Sequence, residues 1–146
     1  MTKIDMIDQM KTLLRRKSSC VLATTDGNRP HCSLMAYITS KTVDRLFLVT
    51  PRNTRKYRNI THHPKVSLLI DTREKAPSSQ AKALTVEGRF CKINEKEKRT
   101  QIVAKLLKTH AHLKEFMQDP KAEIICVKIN SFLFLNGLQE AHFESL

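Results

Sequence analysis

The sequence predicts a mainly β domain: a barrel of about six antiparallel strands with helices added at its start, middle and near its end. Apolar runs with two-residue alternation recur along the chain, and most are joined by short turns, which argues against a parallel doubly wound sheet. A few other segments repeat apolar residues at helical spacing. Only three glycines occur, with no G-x-G-x-x-G or G-x-x-x-x-G-K-[ST] loop, so dinucleotide-binding Rossmann and P-loop arrangements fall away.

Thr2 followed by Asp5 resembles a capping box, and Ile4, Ile7, Met10, Leu13 and Leu14 recur at helical spacing, so residues 3–16 form an amphipathic helix. Residues 19–25 turn extended, Asp26-Gly27-Asn28 supplies hairpin chemistry, and a second extended run covers His31 to Thr39. Arg45 to Thr50 reads as a third strand, Thr54 to about Thr61 as a short helix, and Lys65 to Asp71 as a fourth strand after Pro64 blocks helix continuation. Residues 72–80, with Pro and Ser and no periodicity, mark an exposed loop. Leu84, Val86, Gly88 and Phe90 alternate with Thr85, Glu87, Arg89 and Cys91 in the clearest strand. Asn94 with Glu97 gives a second capping-box-like start, and Ile102, Val103, Leu106 and Leu107 line one helical face. Thr109 to Gln118 continues that helix or begins another, and Glu123 to Leu135 is one long or two short strands.

A length of 146 residues fits a single domain, residues 1–146, that buries roughly two-thirds of its unfolded surface without staples. No segment approaches the ~20 apolar residues of a membrane span, and acids stand near the N-terminus where a signal peptide has an apolar block, so a soluble, cytoplasmic protein is expected. Cys20, Cys32, Cys91 and Cys126 show no C-x-x-C spacing and sit in or beside apolar segments; they are read as reduced core residues. His62-His63 and His110-x-His112 have no cysteine or carboxylate at ligand spacing, so no metal site is assigned. No Ser-His-Asp order or nucleophile elbow supports hydrolysis.

The net charge of +12 is compatible with a solvated basic surface, a nucleic-acid face or a site for a phosphorylated small molecule. An aromatic fraction of 5% with no Trp, and no nucleic-acid-binding signature, speak against nucleic acid. The distribution of charge favours the small molecule. Residues 45–70 hold six Lys or Arg and no Asp or Glu. Within them an apolar run ends at Thr50, a turn follows, and Thr54-Arg55-Lys56 open a helix, placing free N–H groups, a hydroxyl and two cations together.

The order Thr50-x-x-x-Thr54-Arg55-Lys56, His63-Pro64-Lys65-Val66-Ser67-Leu68 and Val86-Glu87-Gly88 resembles the pyridoxamine 5'-phosphate oxidase-like, flavin-mononucleotide-binding split-barrel family over about residues 15–135. The resemblance implies a six-stranded antiparallel split barrel. It implies that Thr54, Arg55 and Lys56, with Thr50 from the strand end, hold the phosphate of flavin mononucleotide (FMN). It also implies that Ser33, Leu34, Met35 and Ala36 border the flavin ring, mainly through main-chain contacts. The implied activity is a flavin-dependent oxidoreductase acting on a small-molecule redox substrate as a homodimer, with pocket parts from both subunits and neither nucleic acid nor membrane as partner. A haem- or deazaflavin-binding module on the same fold is the alternative, and a basic nucleic-acid-binding domain a more distant one. Catalytic residues are not identified. Departures from the family pattern at Ser33, Ile38 and Ala83, the absence of Trp and the cation-free tail from Leu135 onward speak against oxidation of pyridoxamine phosphate itself.

Overall fold

A computed structural model of the chain describes residues 2–77, 79–137 and 140–146; Ser78 of the expected loop and Leu138 and Gln139 of the tail lie outside the described residues. Helix α1 (Lys3–Arg16) begins at the expected capping box, where the Asp5 N–H donates to Thr2 Oγ1 at 3.2 Å and the Thr2 N–H to Asp5 Oδ2 at 3.3 Å. Its buried stripe is Met6, Met10 and Leu14, one turn apart in each step, while Ile4 is 72% exposed and not part of the expected apolar face.

β1 (Ser19–Thr25) and β2 (Pro30–Ala36) form the first hairpin. At its tip Asp26 Oδ1 accepts the N–H groups of Asn28 and Arg29 at 2.8 and 2.7 Å, and these two bonds, Arg29's the larger, lower the pKa of its carboxyl. Gly27 takes φ +97°, and a Cβ there would stand 2.9 Å from the His63 ring.

The second extended run is not continuous. It breaks at Tyr37 into β2 and β3 (Ile38–Thr39) because Tyr37 turns inward, where its hydroxyl donates to the Leu14 carbonyl at 2.6 Å. Before the break this run pairs with β1; after it, Ile38 pairs with Phe47 of β4 (Arg45–Pro51). The change of partner closes a circle through β5 (Lys65–Asp71), β6 (Lys82–Cys91) and β7 (Ala122–Asn136), in the order β2-β1-β5-β6-β7-β4-β3, every pair antiparallel. With β2 and β3 taken as one bent strand this is the expected six-stranded barrel, split where β2 and β4 have no ladder between them. β8 (Glu140–Ser145), unanticipated because its short polar sequence carries no alternation, adds to the outer end of β7.

The barrel interior is one apolar core, with Leu22, Leu46, Leu48, Leu68, Ile70, Leu84, Val86 and Phe132 closed over by α1. At the bulge between Glu87 and Gly88 the strands approach so closely that a Cβ on Gly88 would meet the Lys128 carbonyl at 2.5 Å. A second, smaller core lies outside the wall, where Ile102 and Leu106 of α3 (Lys96–Thr109) cover Ile38, Phe47, Ile124 and Cys126. β4 is therefore buried on both faces. α3 starts at Glu95 with no side-chain cap, one residue beyond the Asn94 start expected for it, and after it come a short 3-10 turn (Ala111–Leu113) and α4 (Lys114–Met117). Among the described residues no helix is long and apolar enough to cross a membrane. Cys20 and Cys126 are buried as expected, but Cys32 is exposed, since it shares the outward parity of β2 with Leu34.

Candidate functional site

β4 delivers its last residues to the split side of the barrel, and α2 (Arg55–His62) starts five residues after Thr50. The helix is held by three different contacts. Ile60 is fully buried in the core, the Asn59 amide donates to Thr24 Oγ1 at 3.1 Å, and Tyr57 meets the Phe90 ring edge-on at 6.5 Å. At its far end His62 Nδ1 lies 2.8 Å from the Arg58 carbonyl. With these anchors the helix N-terminus is a fixed object.

Thr54 is the N-cap: its Oγ1 accepts the Tyr57 N–H at 3.3 Å and donates to the Pro51 carbonyl at 2.9 Å. Its one proton is thereby committed, so across the 3.1 Å contact with buried Thr50 it is the Thr50 hydroxyl that donates. The N–H groups of Arg55 and Lys56, the first two of the helix, have no partner among the described residues. Neither do their side chains, whereas Arg52 on the same turn is paired to Glu123 at 2.7 Å.

Beside this corner is a concavity of about 440 Å³ lined by Leu34, Met35, Ala36, Val49, Thr50, Pro51, Thr54, Lys56, His112, Leu113 and Phe116, within the size range of small-molecule sites. Six of the eight residues expected from the sequence, Leu34, Met35, Ala36, Thr50, Thr54 and Lys56, meet in this one place. Ser33 and Arg55 do not line it: Ser33 stands one residue before the lining stretch of β2, and Arg55 is exposed, between Thr54 and Lys56 in sequence. The far wall, His112, Leu113 and Phe116, was missed. It is brought across by His110, whose Nε2–H donates to the Tyr37 carbonyl at 2.9 Å from a buried position. The His110-x-His112 spacing was the only signal available, and it gave no hint of which surface the pair would meet. His112 itself stays exposed, edge-on to the His110 ring at 5.8 Å.

Chemically the arrangement has a cationic, amide-rich end suited to an anion and an apolar trough suited to a flat ring. Another concavity, of about 480 Å³ around Lys65, Ser67, Glu87 and Asn130, opens elsewhere on the β1–β5–β6 wall and contains none of the expected residues.

The pyridoxamine 5'-phosphate oxidase family matches the chain over residues 6–136. No curated protein matches it. Among solved structures, a heme-binding protein from Mycobacterium smegmatis shares the fold with a TM-score of 0.81 at 17% identity, over 94% of this chain and 56% of that one. The chain thus spans little more than half of that protein. A FAD-binding protein from Mesorhizobium loti gives a TM-score of 0.71 at 16% identity, covering 92% and 94% of the two chains. The General Stress Protein 26 from Bacillus anthracis gives 0.69 at 19%, covering 96% and 98%. At such identities the likeness is one of fold.

Proposed function

The chain belongs to the pyridoxamine 5'-phosphate oxidase family, and from that premise we propose that it binds FMN and serves as a flavin-dependent oxidoreductase built from two copies of itself. One observation carries the reading: Lys56 lines a trough whose remaining walls are largely apolar, next to exposed Arg55 and to the first two N–H groups of α2, all without partners among the described residues. A phosphate dianion gains from Arg's planar fork, Lys's point charge and the positive end of α2 together.

In this reading Arg55, Lys56 and the first N–H groups of α2 hold the phosphate, and Thr50 and Thr54 keep the turn in shape beneath it. Leu34, Met35, Ala36 and Val49 form the wall for the ring, with Ser33 contributing main chain only. Bound there, the flavin supplies hydride or electron transfer at its own ring. The protein's part is to seat the anion, fix the ring against β2 and keep water from one side of it. Pyridoxamine phosphate is not the proposed substrate, because Ser33, Ile38 and Ala83 place no cation or amide where the oxidases of the family have them.

The proposed partner is a second copy of the chain. Leu34, Val21, Leu69, Thr85, Leu133 and Phe143 stand directly opposite one another on successive strands, forming a row across the outside of the sheet, with Leu34 79% and Phe143 61% exposed. Leu34 belongs both to this row and to the trough, so a copy seated on the row adjoins the pocket. Phe132 and Phe134 of β7 and the α1 residues Met6, Met10 and Leu14 are core and take no part in this row.

A second reading, haem, rests on His112, a potential axial ligand in the wall with Leu113 and Phe116, and on the named ligand of the Mycobacterium relative. The absorbance spectrum of the purified protein separates the two. Flavin bands and FMN released on heating support the first; a Soret band that disappears in His112→Ala supports the second. Protein that is colourless and takes up neither compound overturns both.

A further inference from the structure

Cys91 ends β6, and Cys126 lies directly opposite it on β7, in the register that also pairs Phe90 with Val127. Their sulfurs are 2.9 Å apart, and the Cys91 thiol also approaches the Cys126 carbonyl at 3.6 Å. Directly opposed residues of an antiparallel ladder have Cα atoms about 4.5–5.5 Å apart, inside the span that a disulfide bridges. A bond between them therefore requires side-chain rotation and no displacement of the strands. The other two cysteines are not placed for this: on β1 and β2 Cys20 is buried opposite Met35, while Cys32 is exposed opposite Ala23.

The two sulfurs are unequal. Cys126 is buried under α3 with Phe47, Ile102 and Leu106, and that burial, followed by its bond to Cys91, pushes its thiol up to about 12. Cys91 is half-buried at the strand end, beside the exposed Lys92. An oxidant arriving from solvent meets Cys91 first and finds Cys126 behind it.

We propose that Cys91 and Cys126 form a reversible dithiol–disulfide couple oxidised by hydrogen peroxide. The Cys91 thiolate attacks one peroxide oxygen, the O–O bond breaks, and a sulfenic acid forms on Cys91 as hydroxide leaves and is protonated to water. The Cys126 sulfur then attacks the Cys91 sulfur; the S–S bond forms, the S–O bond breaks, and the departing hydroxide takes the Cys126 proton as a second water. Two thiols lose two electrons and two protons, and the peroxide becomes two waters. A dithiol reductant reverses the bond by exchange. The bond closes a loop holding α3, the 3-10 turn and α4, so the segment that brings His112 and Phe116 to the pocket becomes covalently tied to the barrel at both ends.

The test is to expose the full chain to hydrogen peroxide, block remaining thiols with iodoacetamide, and map non-reduced peptides by mass spectrometry. Before alkylation the expected product is lighter by about 2 Da than the starting protein and returns to the starting mass with dithiothreitol; after alkylation its digest contains a peptide joining Cys91 to Cys126. Its Tm rises on the order of 10 °C, because the cross-link restricts the unfolded chain. In Cys126→Ser, dimedone traps a sulfenic acid on Cys91; in Cys91→Ser, the Cys126 thiol is unmodified by the same treatment. Full alkylation of both thiols after oxidation, oxidation confined to Cys32, or over-oxidation of Cys91 without a cross-link each overturns the proposal.

Discussion

Arg52 and Arg55 stand three residues apart on one turn and have opposite surroundings. Arg52 is held by Glu123 Oε1 at 2.7 Å, and the other oxygen of that carboxylate holds Arg99 at 2.9 Å, so one acid ties the turn to β7 and to α3. Arg55 and its neighbour Lys56 have no carboxylate and no hydrogen bond among the described residues. In sequence Arg52, Arg55 and Lys56 are equivalent members of one basic run. In the fold Arg52 and Arg99 are structural, and Arg55 and Lys56 are left over beside a pocket, which is what a binding role requires.

This contrast is open to direct attack. The largest effect is expected from replacing Arg55 and Lys56 together by Ala. Two charge-assisted bonds at ~1.5–3 kcal/mol each imply an FMN affinity at least about a hundredfold weaker by fluorescence titration, with the Tm of the cofactor-free protein unchanged. Equal affinity in that variant would remove the phosphate seat from α2. Thr54→Ala removes the cap and the platform for Thr50. It should cost about 1 kcal/mol of stability by urea titration and weaken FMN by about tenfold, both effects appearing together. Glu123→Gln inverts the first result. Its Arg partners remain 50% and 42% exposed, so the loss is limited to about 1 kcal/mol, a Tm lower by roughly 2–4 °C, with FMN affinity within about threefold of the parent. A large loss of affinity there would show that the two cation groups are not separable.

The smallest effect concerns a carboxylate far from the pocket. Hydroxyls of Ser40 and Thr42 donate to Asp44 at 2.7 and 2.8 Å, and these bonds, Ser40's first, lower its pKa. A group with a depressed folded pKa stabilises above its unfolded value, about 3.9, and loses that contribution as pH falls through the folded one. Asp44→Asn should therefore have a slightly lower Tm at pH 7, with the gap to the parent shrinking below about pH 4. A gap of constant size down to strong acid would assign the loss to geometry instead of charge.

Most of the fold was legible because its strands carry two-residue alternation and its breaks carry Pro, Gly and Asn. Three features were not. The division of the second extended run at Tyr37 depends on a hydroxyl reaching Leu14, a contact across 23 positions that periodicity does not register. β8 is held by pairing to β7 and not by its own pattern. The exposure of Cys32 follows from the parity of β2, which is fixed by Met35 facing inward. At the candidate site, the corner at α2 was readable since strand end, cap and cations are contiguous in sequence. The opposite wall was not, because His112 and Phe116 arrive there only through the bond from His110 to Tyr37.

The gap in the ladder between β2 and β4 has one more consequence. β2 is hydrogen-bonded to β1 on one side only, so along Leu34 to Ala36 the backbone N–H and C=O groups of alternate residues face the open seam. Heteroatoms on a flat guest in that seam would be met by main chain, which mutation of the side chains does not erase. A ring seated at this edge would thus be met by backbone spacing, while an anion attached to it would depend on Arg55 and Lys56.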